Sequence, residues 1–385
     1  MSSAGYAGIV TGPDPDVEAR RYHRRQLWLS IAAFLLTVAV LAAWLASGAA
    51  EALAAVLGAR LRWRPAVVAA VLAAVGGSTA LVGFPLDVLR GFVLPRRAGL
   101  LTQSFAGWLA DKAKASALGG LLGLLAFELV YALLAWSPGG WWLWSAAALA
   151  AAGVLLTAVV PLWIVPLFYR LTPLEDPALR ARLLALAARV GVAAAEVVVA
   201  DFSRKGRTAN AAVVGLGRTR RILVSDTLLA SFPPDEVEVI LAHELAHHAR
   251  GHLPKGLGLQ VILLVVVFAL ADALLRRATG PLGLAGPADP AGLPLLALVL
   301  SGLGLLITPL AAAWSRRLER EADRVALAVT AAPVVFVAAM ERLGRLNLAE
   351  RRPNRLKEWL FATHPSLEER IATARAAEQR LAGAA

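Results

Sequence analysis

The sequence predicts a mainly α-helical protein, in which a polytopic bundle of about six transmembrane spans carries a cytoplasmic domain containing a small β-sheet. Three observations support this fold class. Of the 385 residues 58% are hydrophobic, and the mean hydropathy of +0.64 exceeds that of ordinary soluble domains. Six apolar stretches each approach the ~20 residues that cross a bilayer as a helix. Basic residues concentrate in the loops that would face the cytoplasm.

The apolar stretches divide the chain into spans and polar segments. The spans are predicted at 27–48, 66–86, 117–136, 141–165, 256–275 and 293–313, and residues 49–65 could form a short amphipathic helix or a partial seventh crossing. The predicted parts are therefore an N-terminal cytoplasmic tail (1–26), spans one to four (27–165), a first polar segment (166–255), spans five and six (256–313) and a C-terminal polar segment (314–385).

Charge gives the predicted orientation. The basic cluster Arg20–Arg25 precedes the first span, and Arg96, Arg97, Lys112 and Lys114 follow the second. Placing these residues inside puts both polar segments on the cytoplasmic side, where they could form one site. The net charge of +12 fits this topology and a surface in contact with membrane lipid. Since the arginines form no stripe with aromatic residues, nucleic acid is not expected as a partner.

Residue usage excludes some chemistry. The chain has no cysteine, so it has no disulfide, no thiolate metal ligand and no cysteine nucleophile. High alanine, leucine and arginine usage suggests a bacterial source, and hence the plasma membrane as the expected location.

The first polar segment has the pattern of a small folded unit. Two prolines followed by Asp235 and Glu236 are a strong helix start, and Gly251 is a typical helix end. The predicted elements are a helix over 176–190 that ends at Gly191, strands Glu196–Ala200, Asn210–Val214 and Arg221–Ser225 with a turn at Gly215–Gly217 between the last two, and a helix over 234–250.

The last of these helices contains the sequence H-E-x-x-H, formed by His243, Glu244 and His247. Residues four apart lie on one face of a helix, so both imidazoles can reach one metal ion, and the glutamate can reach a water beside it. The pattern predicts one Zn²⁺ at the centre of a metal-dependent hydrolase, with Glu244 as general base. The alternative is a pair of histidines on a solvated helix face.

A catalytic zinc site needs a third protein ligand. Glu319 and Asp323 lie four apart on a helical pattern directly after the sixth span, so Glu319 could bind the metal and Asp323 could accept a hydrogen bond from an imidazole. Glu321 points about 160° further round that helix. The charge run could equally be a solvated face. His252 lies out of register for a ligand and is expected at a helix C-terminus, where the dipole favours it.

Three segments together resemble one family: HELAHHARGH, SRRLEREAD and HPSLEER. The chain resembles the integral-membrane gluzincin zinc peptidases that include the type I CAAX prenyl endopeptidase and the bacterial HtpX-type stress protease. The likeness covers about residues 160–380, including NAAVVGLGRTRRILVSDT. It implies a gluzincin-type fold in the cytoplasmic domain, Glu319 as third zinc ligand, Asp323 as its partner group, and His364 and Arg370 as active-site residues.

Two further groups have a chemical role available. His364 could donate a hydrogen bond to the oxyanion of a peptide substrate, although an isolated His-Pro is more often a loop residue. The strand formed by Asn210, Ala211, Ala212, Val213 and Val214 could bind an extended peptide along its edge, or it could be an ordinary core strand.

These observations predict a membrane-embedded zinc endopeptidase that hydrolyses peptide bonds in hydrophobic or lipidated peptides, as a CAAX prenyl protease does. An HtpX-like role in membrane-protein quality control is the alternative with the same chemistry. A catalytically silent zinc-stabilised scaffold or transporter is the alternative of another class. The sequence does not indicate an oligomeric state.

Two ionisable residues lie inside predicted spans, Glu128 and Asp272. A carboxylate in lipid is costly, so we expect each to line an aqueous cavity or to pair with a neighbour.

Overall fold

The membrane part of the computed structural model is built from long helices. The model describes residues 15–215 and 220–383. In these residues six helices are long and apolar enough to cross a bilayer. Four of them are α1 (Pro15–Ala46), α5 (Phe105–Trp136), α11 (His252–Ala278) and α12 (Leu293–Thr330). The other two each contain a π-helical turn. In one, α3 (Arg64–Val88) continues through Leu89–Val93 into α4 (Leu94–Arg97), and in the other, α6 (Trp141–Val159) continues through Val160–Ile164 into α7 (Val165–Phe168).

All six predicted spans are found, and most extend further than their apolar stretches. The helices continue into polar sequence because charged residues such as arginine and glutamate are good helix formers. Residues 49–65 contain α2 (Ala49–Arg60), whose 12 residues reach only about 18 Å. A helix of that length cannot cross the ~30 Å apolar layer, so α2 is not a seventh span.

The polar segments form the second part of the molecule. Its helices are α8 (Pro177–Arg189), α9 (Asp226–Ser231), α10 (Pro234–Ala249), α13 (Pro333–Leu346), α14 (Arg355–Phe361) and α15 (Leu367–Ala382). Its core is separate from that of the span bundle: Leu186, Ile222, Leu241 and Phe336 are fully buried here. Residues from both polar segments share this core, as expected if both lie on one side of the membrane.

One sheet of four strands covers α10. Its strands are β1 (Leu171–Pro173), β2 (Glu196–Ala200), β3 (Ala211–Val214) and β4 (Arg221–Ser225), in the order β1-β2-β4-β3. β2 pairs with β4 in parallel, and β3 pairs with β4 antiparallel, so β3 lies at an edge. Three strands were predicted almost residue for residue, whereas β1 was not predicted. Gly215 has a φ of 90°, and the remainder of the predicted turn lies outside the described residues.

A short backbone contact joins the two parts of the molecule. Leu101, between α4 and α5, forms a β-bridge with Gly206, and Arg207 donates a backbone hydrogen bond to Leu100. A Cβ atom at position 206 would lie 2.5 Å from the Leu100 carbonyl oxygen, so only glycine allows this approach.

The two intramembrane carboxylates differ in their surroundings. Asp272 accepts hydrogen bonds from Trp141 Nε1 at 2.6 Å and from Arg276 Nε at 2.9 Å, so its predicted pairing is found. Glu128 Oε1 is buried and has no hydrogen-bond partner among the described residues. The backbone of Ala69 on α3 is the polar neighbour of this carboxyl group.

Candidate metal centre and active-site cleft

The two histidines of H-E-x-x-H are held side by side on α10. Their Nε2 atoms lie 3.2 Å apart. Pro234, Asp235 and Glu236 start the helix as the sequence predicts, and almost every apolar residue of α10 is buried between the sheet and α12. The imidazoles therefore have a rigid base.

A carboxylate from α12 completes the cluster. Glu319 Oε2 lies 3.1 Å from His243 Nε2, and Glu319 Oε1 lies 3.4 Å from His247 Nε2. One ligand atom from each of these three residues falls within 4.8 Å of the others. Two imidazole nitrogens and one carboxylate oxygen, with space for a fourth ligand, are the donors of a catalytic zinc site. The residues present therefore fit such an ion.

The charge states in the cluster differ between the two histidines. Burial lowers the pKa of His247 to about 4, which leaves a neutral imidazole with a free lone pair. Burial also disfavours the charged form of His243, but hydrogen bonds to Asp323 and Glu319 raise its pKa to about 9. A divalent cation among these atoms must displace that proton, because only neutral imidazole binds metal.

Asp323 and Arg370 support His243 from behind. Asp323 Oδ1 lies 2.8 Å from His243 Nδ1, so it can accept the Nδ1 proton and leave the Nε2 lone pair facing the cluster. Arg370, on α15, donates two hydrogen bonds to Asp323, at 2.6 and 2.9 Å. Burial would raise the pKa of the Asp323 carboxyl, but His243 and Arg370 hold it well below its usual range. Asp323 therefore stays ionised.

His252 was predicted wrongly, because it begins a helix instead of ending one. Gly251 has a φ of 63° and reverses the chain after α10, and α11 begins at His252. The turn brings His252 Nδ1 to 2.9 Å from His247 Nδ1, where it is 4% exposed. Its Nε2 lies 3.4 Å from Glu321, which also pairs with Arg250. Each candidate ligand imidazole thus has a partner at Nδ1.

His248 has a contact that sequence patterns did not predict. Its Nε2 donates a hydrogen bond to the carbonyl oxygen of Val213, at 2.9 Å. Ser225 N donates to Asn210 O, so in the alternating antiparallel ladder the backbone groups of Ala211 and Val213 point away from β4. His248 therefore occupies one of the acceptors along the free edge of β3.

A cavity of about 560 Å³ opens beside the cluster. Among the residues that line it are six of the predicted site residues: Asn210, Ala211, His243, Glu244, His364 and Arg370. Ala212, Val213 and Val214 are not among the lining residues.

Two side chains in this cavity lie close to the ligand cluster. Glu244 is half-buried, and burial raises the pKa of its carboxyl. His364 has an exposed side chain whose Nε2 lies 3.5 Å from Glu319 Oε2. Glu244 and His364 are thus placed to reach a molecule held beside the three candidate ligands.

Comparison with known proteins assigns the chain to a family. The family model for "Peptidase family M48" matches residues 173–378, which cover strands β2 to β4, α10 and the helix that contains Glu319. The chain belongs to peptidase family M48. A second model, "CAAX prenyl protease N-terminal, five membrane helices", matches residues 16–170. In this M48 peptidase that stretch contains four candidate spans and the shorter α2.

Individual proteins that are similar to this chain support the family assignment. The chain is 29% identical to the "Uncharacterized metalloprotease YhfN" of Bacillus subtilis, over 76% of this chain and 70% of the relative. It is 29% identical to CAAX prenyl protease 1 of Saccharomyces cerevisiae, over 51% of this chain but only 44% of the yeast protein. It is 33% identical to protease HtpX of Xylella fastidiosa, over 49% of this chain and 69% of that protein.

A solved structure shares the fold. The crystal structure of S. mikatae Ste24p superposes with a TM-score of 0.74 and 25% identity, over 80% of this chain and 76% of the other. The predicted fold class and family are therefore confirmed. The chain is a CAAX prenyl protease-like metallopeptidase with several membrane-spanning helices, and not the catalytically silent scaffold or transporter that the sequence left open.

His252 gives the first prediction. Its replacement by alanine (His252→Ala) removes the Nδ1 partner of His247, and losing such a partner typically weakens metal binding about 10–100-fold. We expect this loss when zinc affinity is measured by competition with a chelator. His23→Ala is the matched control, because His23 donates to a backbone carbonyl outside the ligand cluster, that of Leu348. Unchanged zinc affinity in His252→Ala would show that this contact does not support the ligand.

The choice between two glutamates on α12 gives the second prediction. Glu319→Gln removes a charged oxygen beside both imidazoles, so the purified protein should lose its metal on dialysis. Glu321→Gln should keep the metal, because the Glu321 carboxylate is directed at Arg250. Metal content is measured by elemental analysis. Retention of metal by Glu319→Gln and loss by Glu321→Gln would reverse the assignment.

Proposed function

We propose that one Zn²⁺ is bound by His243, His247 and Glu319, with a fourth position left for water. The observation that carries this proposal is the cluster of three ligand atoms within 4.8 Å. When bound, the ion acts as a Lewis acid that makes water a better nucleophile and polarises the peptide carbonyl. Asp323 and His252 keep the two imidazoles turned toward the ion.

Glu244 is the proposed general base. It follows the first ligand on α10 and lines the cavity beside the cluster. It accepts a proton from the attacking water and delivers it to the nitrogen of the leaving amine, so one carboxylate serves both steps. The raised pKa of its carboxyl suits this role, because a carboxylate of higher pKa is a stronger base toward the attacking water.

His364 and Arg370 complete the proposed catalytic group. His364 reaches into the cavity from the loop before α15 and can donate a hydrogen bond to the carbonyl oxygen as it gains charge. Arg370 lies at the cavity wall, and its guanidinium holds Asp323. Arg370 thus stabilises the His243 orientation and adds positive charge near the reacting carbonyl.

The proposed substrate is a hydrophobic or lipidated peptide. The cavity wall includes Leu228, Ile240, Met340 and Leu343, which suit an apolar side chain. A peptide can pair with the outward backbone groups of Ala211, which give hydrogen bonds without reading sequence. The basic loops support an active site on the cytoplasmic face of a bacterial plasma membrane.

A second candidate function uses the same chemistry. The likeness to protease HtpX of Xylella fastidiosa covers 69% of that protein and is higher in identity than the likeness to the yeast CAAX prenyl protease. The native substrate would then be a damaged membrane protein. The two candidates differ in what enters the cleft and share the proposed site.

The proposed base is tested by Glu244→Gln. We expect this variant to keep its zinc and to lose turnover by about 10³-fold or more, because the amide cannot accept the water proton. Peptide cleavage and metal content are measured on the same preparation. Glu369→Gln is the matched control, since Glu369 pairs with Arg320 and is exposed. Wild-type turnover in Glu244→Gln would refute the assignment.

The same variant tests the substrate class. Expressed in membranes, the inactive Glu244→Gln protein should retain uncleaved substrate that wild-type protein releases as products. We expect mass spectrometry to find short hydrophobic or lipid-bearing polypeptides enriched over the wild-type sample. Enrichment of large, unfolded membrane proteins instead would favour the quality-control function.

A further inference from the structure

The short helix α14 presents an apolar face that is not covered by the described residues. Leu356 is 62% exposed and Trp359 is 57% exposed. The two residues are three apart and therefore lie on one side of the helix. The opposite side contributes Lys357 and Phe361 to the wall of the active-site cavity. We call Leu356 and Trp359 the α14 face.

Arg316 on α12 fixes α14 at the level where the sixth span ends. Arg316 is buried, and its Nη1 donates to the carbonyl oxygens of Glu358 at 2.8 Å and Ala362 at 2.6 Å. It lies three residues beyond the apolar stretch 293–313. A helical side chain leans toward the helix N-terminus, which here is the direction of the membrane. The end of α14 is therefore held at the edge of the apolar layer.

The position of the first span independently indicates the depth of α14 relative to the membrane. His23, four residues before the apolar stretch 27–48, lines the same cavity as Lys357 and Phe361. The neighbouring Trp28 is 64% exposed, as is typical of tryptophan at a membrane interface. Both α1 and α12 cross the bilayer, and the contacts of each helix separately place α14 near the membrane interface.

The composition of α14 suits a lipid surface. A tryptophan and a leucine on one face, flanked by the exposed Arg352 and Arg355, are the residues that anchor helices at headgroup depth. On α12, which Arg316 ties to α14, Leu306 and Leu310 are exposed within the span, as expected of side chains that face lipid. The exposed leucines of this adjoining span and the arginines favour lipid as the occupant over a second protein.

We propose that α14 is an interfacial helix whose Leu356 and Trp359 insert into the headgroup region of the bilayer. It thereby holds the mouth of the cavity, formed by Phe361 and the following residues through His364, at the lipid surface. Resting on the function proposed above, this placement lets a lipidated peptide enter the cleft while its lipid stays in the membrane.

The chain has no cysteine, so one introduced cysteine can be labelled alone. Trp359→Cys, carrying an environment-sensitive fluorophore, is placed in the full chain and reconstituted into vesicles of phosphatidylcholine and phosphatidylglycerol. We expect blue-shifted emission and quenching by lipids that bear a doxyl group near the headgroup. Leu310→Cys, inside the span, is the membrane-buried control. Leu381→Cys, exposed near the end of α15, is the aqueous control.

Two outcomes of this measurement overturn the proposal. Emission at position 359 that matches Leu381→Cys would place the α14 face in water. Blue-shifted emission that doxyl lipids do not quench, and that fades as protein is diluted in the vesicles, would mean that a second copy covers the face. Neither outcome depends on catalysis, so the interface and the proposed function can fail separately.

The delivery role has its own test. In Trp359→Ser, KM for a lipidated peptide should rise about tenfold, as expected for losing part of an apolar contact, with kcat unchanged. The same peptide without its lipid should show unchanged KM and kcat, because Trp359 does not line the cavity. An equal change for both peptides, or no change for either, would overturn the delivery role.

Discussion

The packing of α10 against α12 determines the candidate site, because it joins His247 and Glu319, candidate ligands that lie 72 residues apart in sequence. α10 supplies two imidazoles, and α12, after leaving the membrane, supplies a carboxylate 3.1 Å from one of them. Ala242, Leu245 and Ala246 on α10 are fully buried, as are Ala322 and Ala326 on α12. The four alanines in this set allow close helix contact, and close contact sets the distance between the candidate ligands.

Rigidity at the site comes from a surrounding shell of charged and aromatic groups. Asp323 and Arg370 hold His243, and His252 contacts His247. A buried ion pair alone adds little to stability, because desolvation offsets the attraction. Its use here is geometric, because it holds flexible side chains in the orientation that the proposed metal ion would require.

Much of the fold could be predicted because it depends on local patterns. Apolar runs of about twenty residues gave all six spans, and short continuous apolar runs gave β2 and β4 with the bounds that the structure has. β1 was missed because three residues that include Pro173 have no periodicity. Helix ends beyond the apolar runs were missed because helix propensity continues there while hydrophobicity does not.

The positions of site residues could be predicted where helical periodicity sets which residues share a face. They could not be predicted where they depend on the path of the chain through a turn. The four-residue spacing places His243 with His247, and the phase of α12 directs Glu319 and not Glu321 toward them. His252 was misplaced because sequence marks Gly251 as a helix end without showing where the next helix leads. The contact between the His248 side chain and the Val213 backbone joins residues far apart in sequence, and no local sequence pattern predicts it.

That contact has a consequence for recognition. With the Val213 carbonyl engaged, the edge of β3 offers an incoming chain the paired bonds of a single residue, Ala211, before the ladder is interrupted. A single residue pair would bind a peptide backbone without fixing the register of the peptide along the strand. For a peptide bound along this edge as proposed, preference among sequences must then arise from the apolar walls of the cleft, which can accept extended segments of many kinds.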